Sequence, residues 1–249
     1  MVFYPYFGYL AALWLISLFR SPRTRTNGGF EPHVTLVISA YNEEKVIEDK
    51  ILNSLSLDYA GGKLEVVVVS DGSNDKTAGI VRKYGEKGVL LRHYEGRIGK
   101  TACLNKAVPL AGGEIIVFSD ANSKYDKYAV RRLVKHFSDN EVGFMTGRTK
   151  YASAGSETVA DSIGFYSKME KMTKRLESGI GSCVGADGAI FAIRKKLYRP
   201  LKGYDLNDLV IPLNVIKSGF RGGLDEDAFC VEDTAGSGKG EFNRQVRIN

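Results

Sequence analysis

The chain of 249 residues contains few of the residues that carry disulfides, zinc sites or nucleophilic catalysis. Its three cysteines, Cys103, Cys183 and Cys230, are an odd number at wide spacings, which excludes a disulfide framework and a zinc motif and fits reduced thiols in a cytosolic domain. Three histidines have no cysteine or serine motif beside them, so no Ser-His or Cys-His pair is predicted. With 6 prolines, 26% charged and 43% hydrophobic residues, the composition excludes a disordered tail, collagen or a coiled coil as the main structure.

The length suits one large domain, alone or with a small appendage. The net charge of +6 permits an anionic partner such as a nucleotide or a membrane surface, but it does not choose between them. The basic residues are scattered and are not interleaved with aromatic residues along one element. Nucleic acid is therefore not an expected partner.

Residues 2–19 carry no charge and are mostly apolar. Eighteen residues at about 1.5 Å each reach about 27 Å, so we predict a transmembrane helix over residues 1–20, with a buried helix of the soluble domain as the alternative. A signal peptide is disfavoured, because no basic residues precede the run and no small-residue cleavage site follows it. Arginines at 20, 23 and 25 and a linker over 21–32 come next, so the positive-inside rule predicts an inner-membrane or plasma-membrane protein with a cytosolic domain.

Apolar, β-branched runs alternate with amphipathic runs in the next hundred residues. The predicted strands are 34–39, 64–70, 89–93 and 114–119, followed by helices at 43–55, 76–84, 100–107 and 127–137. This alternation predicts an α/β fold with a mostly parallel central sheet, helices on both faces and a ligand site beyond the carboxyl ends of the strands. Further on, the pattern predicts a strand at 142–147, a helix at 157–176, a strand at 189–193 and a helix at 209–218.

Polar residues follow three of these strands at the same edge of the predicted sheet. They are Glu43, Asp71, Asp120 and Asn122, which could share a cleft suited to sugar hydroxyls, a base edge and a hard cation. Asp120 and Asn122 offer two oxygen ligands for Mg²⁺ or Mn²⁺ that substrate phosphates also hold, although each polar residue could instead cap a helix. Lys100, at a predicted helix start, could meet a phosphate or remain a solvated lysine.

The order of these segments resembles the family-2 glycosyltransferases, which have the nucleotide-diphosphosugar transferase fold called GT-A. The resemblance covers about Pro32 to Arg247 and rests on Ala40-Tyr41-Asn42-Glu43, Ser70-Asp71-Gly72-Ser73, Gly99-Lys100 with Leu104-Asn105, and Asp120-Ala121-Asn122. It implies one GT-A domain over residues 33–249, with a nucleotide-sugar-binding half at 33–150 and an acceptor and catalytic half at 151–249.

The resemblance also implies roles for single residues. Donor binding falls to Ala40, Tyr41, Asn42, Glu43, Asp71, Lys100 and Asp120, and the metal motif to Asp120 and Asn122. Asp208, before a predicted helix, matches the general base, with helix capping as its alternative role. The rival carboxylates are Asp225, Glu226, Asp227, Glu232 and Asp233. Arg244 and Arg247 could clamp a diphosphate, and Asp187 with Gly188 lies where the family places a loop beneath the acceptor.

The function implied is inverting transfer of a sugar from a nucleotide-diphosphosugar, with a UDP-sugar favoured. The acceptor would be a lipid-linked molecule or polysaccharide, and the cofactor Mg²⁺ or Mn²⁺. No tryptophan follows Arg247, which argues against a cellulose-like processive polymerase. Two alternatives stay open: a nucleotidyltransferase that makes a nucleotide sugar, and a non-catalytic membrane-anchored interaction domain. Family members often continue into further membrane helices, so a truncated chain is expected.

Overall fold

The computed structural model describes residues 8–19, 26–152 and 157–233. The strands are β1 (Val34–Ala40), β2 (Leu64–Asp71), β3 (Val89–Tyr94), β4 (Ile115–Asp120), β5 (Ser123–Tyr125), β6 (Val142–Ala152), β7 (Ile190–Arg194) and β8 (Arg221–Asp233). The helices are α1 (Tyr9–Ser17), α2 (Ile47–Leu55), α3 (Thr77–Arg82), α4 (Lys100–Ala107), α5 (Ala129–Val134), α6 (Glu157–Ile180) and α7 (Asn207–Lys217).

All eight described strands form one mixed sheet in the order β3-β2-β1-β4-β7-β6-β8-β5. Strands β1 to β4 are mutually parallel, which confirms the sequence prediction for this part of the chain. Strand β7 runs antiparallel to both β4 and β6, and β8 runs parallel to β6. Because β2 and β4 lie on opposite sides of β1, the strand order reverses there, and the carboxyl ends of β1 and β4 border the crevice expected to bind a ligand.

Two apolar layers cover the two faces of this sheet. Leu36 and Ile38 of β1 belong to the layer that contains Ile51 of α2. Val37, whose side chain points to the opposite face, belongs to the layer that contains Leu104 of α4. Helices therefore pack on both faces, as the sequence predicts.

Two strands are not predicted from the sequence: β8 in the acceptor half and the short β5 in the donor half. The 13-residue β8 pairs with β6 from Val142 to Ala152, and the short β5 pairs with the end of β8. Gly222 permits the close approach of β8, because a Cβ at this position would collide with the ring of Phe144. Thus one sheet continues from the predicted donor half into the predicted acceptor half.

The structure does not support the transmembrane helix predicted over residues 1–20. Within the described ranges no helix is long and apolar enough to cross a membrane. Helix α1 has nine described residues, which reach about 14 Å, and residues 1–7 and 20 of the predicted span lie outside the described residues. It packs against α6, and the hydroxyl of Tyr9 donates a 2.7 Å hydrogen bond to Glu177 Oε1.

The three cysteines are free and buried, as expected for reduced thiols. Cys103 and Cys183 lie in the layer with α4 and α7, and Cys230 lies in the opposite layer. Burial raises the pKa of each thiol to about 12. The thiols therefore serve as core side chains.

Candidate active site

The loops after β1 and β2 are joined by reciprocal hydrogen bonds. The N–H of Asn42 donates to Ser73 Oγ at 3.1 Å, and the N–H of Asn74 donates to Asn42 Oδ1 at 3.0 Å. Asn42 has a φ of 54°, a left-handed conformation that asparagine tolerates better than most residues. Beside it, the guanidinium of Arg97 lies 4.4 Å from the ring centroid of Tyr41. The structure thus brings the predicted base-binding loop against the second strand end.

Asp71, at the end of β2, holds the loop that precedes α4. Its Oδ1 accepts hydrogen bonds from the N–H of Ile98 at 2.7 Å and of Gly99 at 3.1 Å, and its Oδ2 lies 3.1 Å from the same Gly99 nitrogen. Gly72 has a φ of 65°, and a Cβ there would collide with the carbonyl of Gly96. Asp71 therefore fixes the start of α4, and its contact with a nucleoside stays a prediction.

Lys100 and Asp120 meet across the strand ends. Lys100 Nζ lies 2.7 Å from Asp120 Oδ1, and both side chains are about one-third exposed, at 39% and 34%. The turn of residues 120–122, here called the metal loop, is held by a 2.9 Å hydrogen bond from Ser123 Oγ to the carbonyl of Asp120. Asp120 and Asn122 supply hard oxygen donors, which fit Mg²⁺ or Mn²⁺ held jointly with a diphosphate. No cluster of three or more His, Cys, Asp or Glu suited to a metal occurs among the described residues.

Residues 185–188, here called the acceptor loop, lie beside the metal loop. Strand β7 is antiparallel to β4, and its first residue, Ile190, pairs with Ser119. The hydroxyl of Tyr125 ties the two segments together, since it lies 2.9 Å from the carbonyl oxygen of Phe118 and 3.0 Å from that of Ala189. The predicted metal and acceptor residues are therefore at the same edge of the sheet.

Both carboxylate oxygens of Asp187, in the acceptor loop, accept hydrogen bonds. Its Oδ2 accepts the N–H of Thr149 at 2.7 Å, and its Oδ1 accepts the Thr149 hydroxyl at 2.9 Å and the N–H of Ala189 at 3.1 Å. Burial raises the pKa of this carboxyl above its usual value, although the hydrogen bonds oppose the shift. Asp187 thus links β6 to the acceptor loop, while its predicted contact with an acceptor has no test in the structure.

Asp208 lies directly against the acceptor loop. Its carbonyl accepts a 2.8 Å hydrogen bond from the N–H of Ala186, and a Cβ on Gly188 would lie 3.1 Å from Asp208 Oδ2. Helix α7 begins at Asn207 and has Leu206 at its N-cap, without a side-chain capping bond. Within the described ranges, no hydrogen bond or ion pair to the Asp208 carboxylate is present. This geometry does not support capping as the role of Asp208, and it leaves the carboxylate available to a ligand.

Two of the rival carboxylates on β8, Asp225 and Glu232, are buried. Asp225 Oδ2 lies 2.7 Å from His136 Nε2 and 2.8 Å from Lys135 Nζ. Burial alone would raise the pKa of Asp225, but these two partners outweigh it and hold the pKa well below its usual value. Glu232 is buried opposite Ser123 in the sheet. The predicted diphosphate clamp, Arg244 and Arg247, lies outside the described residues.

Sequence reasoning missed Lys50, Asn53 and Tyr125, which lie behind the metal loop. Lys50 is fully buried, and this burial lowers its pKa to about 7. A signal was present, because Lys50 falls between Ile47 and Ile51 on the apolar face of α2, where a lysine needs a specific partner. Its partners, however, are more than seventy positions away and required the fold.

Comparison with known proteins identifies relatives of this arrangement. The sequence model described as glycosyl transferase family 2 matches residues 35–201. A beta-monoglucosyldiacylglycerol synthase from Trichormus variabilis is 34% identical over 130 residues, which is 51% of this chain and 28% of that protein. A poly-beta-1,6-N-acetyl-D-glucosamine synthase from Staphylococcus aureus is 27% identical over 180 residues, which is 71% of this chain and 43% of that protein. The chain thus spans less than half the length of these curated relatives.

Solved structures give the same result. The mannosyltransferase PcManGT from Pyrobaculum calidifontis, in complex with GDP-Man and Mn²⁺, superposes with a TM-score of 0.81 at 25% identity, covering 98% of this chain and 69% of that one. TarS from S. aureus shares the fold at a TM-score of 0.61, with 18% identity, over 81% of this chain and 58% of that chain. The chain therefore belongs to glycosyl transferase family 2: it is a glycosyltransferase domain with the GT-A fold.

Proposed function

We propose that this domain catalyses metal-dependent, inverting transfer of a sugar from a nucleotide-diphosphosugar to a hydroxyl group of a lipid-linked or polysaccharide acceptor. A UDP-sugar is the favoured donor. The observation that carries the proposal is the environment of Asp208. Its carboxylate lies against Gly188 without a described hydrogen bond, and pairing of β4 with β7 brings this loop beside Asp120. A proton acceptor thus borders a site suited to a metal and a diphosphate.

In the proposed reaction the acceptor hydroxyl attacks the anomeric carbon and the bond to the diphosphate oxygen breaks, which inverts that carbon. Asp208 takes the hydroxyl proton, a contribution of about 10²- to 10⁴-fold for a general base. Lys100, held at the metal loop by Asp120, offsets charge on the departing diphosphate. A divalent cation on Asp120 and Asn122 would act there as a Lewis acid and orient the diphosphate.

The relatives support the classes of substrate. GDP-Man and Mn²⁺ in the PcManGT complex support a nucleoside diphosphate sugar and a divalent cation. The synthases of a glucosyl lipid and of a polysaccharide support an acceptor of one of these two kinds.

The test is calorimetric titration of the chain with UDP, GDP and dTDP, each with and without Mn²⁺. We expect Mn²⁺-dependent binding of one of them, and loss of that binding in Asp120→Ala. A matched control is Asp58→Ala, because Asp58 is 36% exposed and pairs with Arg131 away from the metal loop. Absence of nucleotide binding by the folded wild-type chain would overturn the proposal. Pyrophosphate release from a nucleoside triphosphate and a sugar phosphate would instead support a nucleotidyltransferase.

We also propose that the domain acts at the cytosolic side of the plasma or inner membrane. Support comes from α1 and the two residues after it, which expose a set of large apolar side chains: Trp14, Leu15, Ile16, Leu18 and Phe19. Trp14 is the single tryptophan of the chain and is 51% exposed, so its fluorescence reports on this segment alone. A blue shift of the emission with anionic vesicles is expected. Unchanged emission, together with recovery of the tagged protein in the soluble fraction of cells, would contradict membrane association.

A further inference from the structure

Helix α2 holds strand β5 through two side chains one turn apart. Asn53 Nδ2 donates to the carbonyl of Tyr125 at 2.9 Å, and the N–H of Tyr125 donates to Asn53 Oδ1 at 2.8 Å. Lys50 Nζ donates to the carbonyl of Ser123 at 2.5 Å and lies 4.0 Å from the ring centroid of Tyr125. Asn53 thus pairs with the β5 backbone as a neighbouring strand would, and Lys50 adds a third bond two residues earlier.

The bonds that fix strand β5 also fix the metal loop, because β5 begins at Ser123, directly after Asn122. Ser123 Oγ donates to the carbonyl of Asp120 at 2.9 Å and lies 3.0 Å from Ser119 Oγ. The metal loop is therefore held at both of its ends, at Ser119 in β4 and at Ser123 in β5.

The same strand reaches the acceptor loop. The hydroxyl of Tyr125 has one proton to share between two carbonyl oxygens within hydrogen-bond distance: that of Phe118, two residues before Asp120, and that of Ala189, one residue after Gly188. Its ring also packs below the Lys50 ammonium. A single side chain thus fixes the separation between the two loops that the proposed reaction must bring together.

The choice of lysine at this position is informative. Lys50 is 1% exposed, and its Nζ is the donor for the carbonyl of Ser123, a fully buried residue. The charged neighbours of Lys50 include Asp120, the metal-loop carboxylate, and Glu232, which is also buried. An apolar residue at position 50 would leave the Ser123 carbonyl without its donor and would remove a cation from beside the two carboxylates.

We infer that Lys50 and Asn53 are positioning residues for the metal loop, and that the Tyr125 hydroxyl holds the acceptor loop at the separation that transfer requires. The inference rests on the proposed function, because it assigns the metal to Asp120 and Asn122. None of the three residues touches the reacting atoms in this scheme. Each acts through the backbone of the loops.

The first test is Lys50→Met, with exposed Lys45→Met as the matched control. We expect Lys50→Met to lower the midpoint of urea denaturation, because the buried carbonyl of Ser123 loses its donor. The affinity for Mn²⁺ with the nucleoside diphosphate, measured by calorimetry and by Mn²⁺ electron paramagnetic resonance, should fall about 10- to 100-fold, as is typical when a residue that supports metal ligands is removed. A purely structural lysine would also lower stability but would leave the Mn²⁺ affinity of the folded fraction unchanged, and this outcome would overturn the inference for Lys50.

The second test is Tyr125→Phe, which removes only the hydroxyl, with Tyr84→Phe as the control because Tyr84 donates its hydroxyl to Glu48 at 2.8 Å. We expect kcat to fall at least tenfold while the KM for donor and the Mn²⁺ affinity stay within twofold. Unchanged kcat in folded Tyr125→Phe would overturn the role of the hydroxyl. If the wild-type chain itself binds no nucleotide with Mn²⁺, the proposed function fails; if it binds and both variants match it, only this inference fails.

Discussion

The donor side and the acceptor side of the site hold their carboxylates differently. On the donor side, Asp71 is bonded to the backbone of residues 98 and 99, and Asp120 to Lys100, so both are paired before any ligand arrives. On the acceptor side, both carboxylate oxygens of Asp187 accept hydrogen bonds, whereas no described hydrogen bond reaches the carboxylate of Asp208. The hydrogen-bond partners of a carboxylate therefore distinguish a structural role from that of a candidate base, even when both carboxylates lie at the same loop.

The largest effect is expected from Asp208→Asn, which keeps the shape of the side chain and removes its basicity. Transfer should fall by about 10²- to 10⁴-fold. Stability and Mn²⁺-dependent nucleotide binding should remain near wild type, because no described group bonds to this carboxylate. Turnover assays and calorimetry measure the two quantities. Equal loss of binding and transfer would make Asp208 structural and would erase the contrast with Asp187.

A smaller effect is expected from Asp71→Ala. The variant leaves the N–H groups of Ile98 and Gly99 without their acceptor, which should lower the free energy of unfolding by about 1–3 kcal/mol. Nucleotide binding should weaken as well, because these bonds fix the start of α4, where Lys100 lies. Urea denaturation and calorimetry check both changes. Stability equal to wild type would show that the donor side is not held by paired carboxylates.

Acidification should remove the stabilising contribution of Asp225, the paired carboxylate on β8. Because Asp225 has a lower pKa in the folded chain than in the unfolded chain, its contribution is present above about pH 4, the ordinary carboxyl value, and is lost as the pH falls further. The difference in unfolding free energy between wild type and Asp225→Asn should therefore be about 1–3 kcal/mol at pH 7 and shrink at pH 3. Urea titrations at the two pH values measure it. A pH-independent difference would contradict the stabilisation of the Asp225 carboxylate by Lys135 and His136.

The smallest effect is expected from Gly188→Ala. Its Cβ would lie 3.1 Å from Asp208 Oδ2, so the carboxylate must move by a few tenths of an ångström. We expect turnover to fall about tenfold or less, with stability nearly unchanged, because misplacement by about 1 Å can lower the rate 10²-fold. Gly179→Ala is the control, since a Cβ there meets no atom within 4 Å. Turnover unaffected by Gly188→Ala would argue against a reacting role for the neighbouring carboxylate.

The donor half was predictable because its signals are local. Each parallel strand is a short apolar run followed by its own helix, and Leu64–Asp71 and Lys100–Ala107 match the sequence prediction closely. Helix α2 was predicted to begin at residue 43 but begins at Ile47. Residues before Ile47 belong to a loop in which Asn42 has a positive φ and bonds to the loop after β2, and such contacts leave no periodicity in the sequence.

The acceptor half was less predictable, because its strands pair with segments that are distant in the sequence. Strand β8 pairs with β6 on both sides of its acidic run Asp225, Glu226 and Asp227, and the run itself lies at a register shift between Leu224 and Phe229. The roles of Lys50 and Asp187 likewise depend on partners brought near by the sheet. The apolar composition of the N-terminal segment predicted membrane insertion, whereas the described α1 packs on α6, because composition alone does not distinguish lipid from a protein surface.

The buried cysteines make this chain convenient for site-specific labelling. A thiol with a pKa near 12 has a thiolate fraction of about 10⁻⁵ at pH 7, and burial further blocks reagents. A maleimide would therefore react with a newly introduced surface cysteine long before the native ones. Tyr204→Cys, at a position 79% exposed in the segment that leads to Asp208, would carry a fluorophore or spin label without removing Cys103, Cys183 or Cys230.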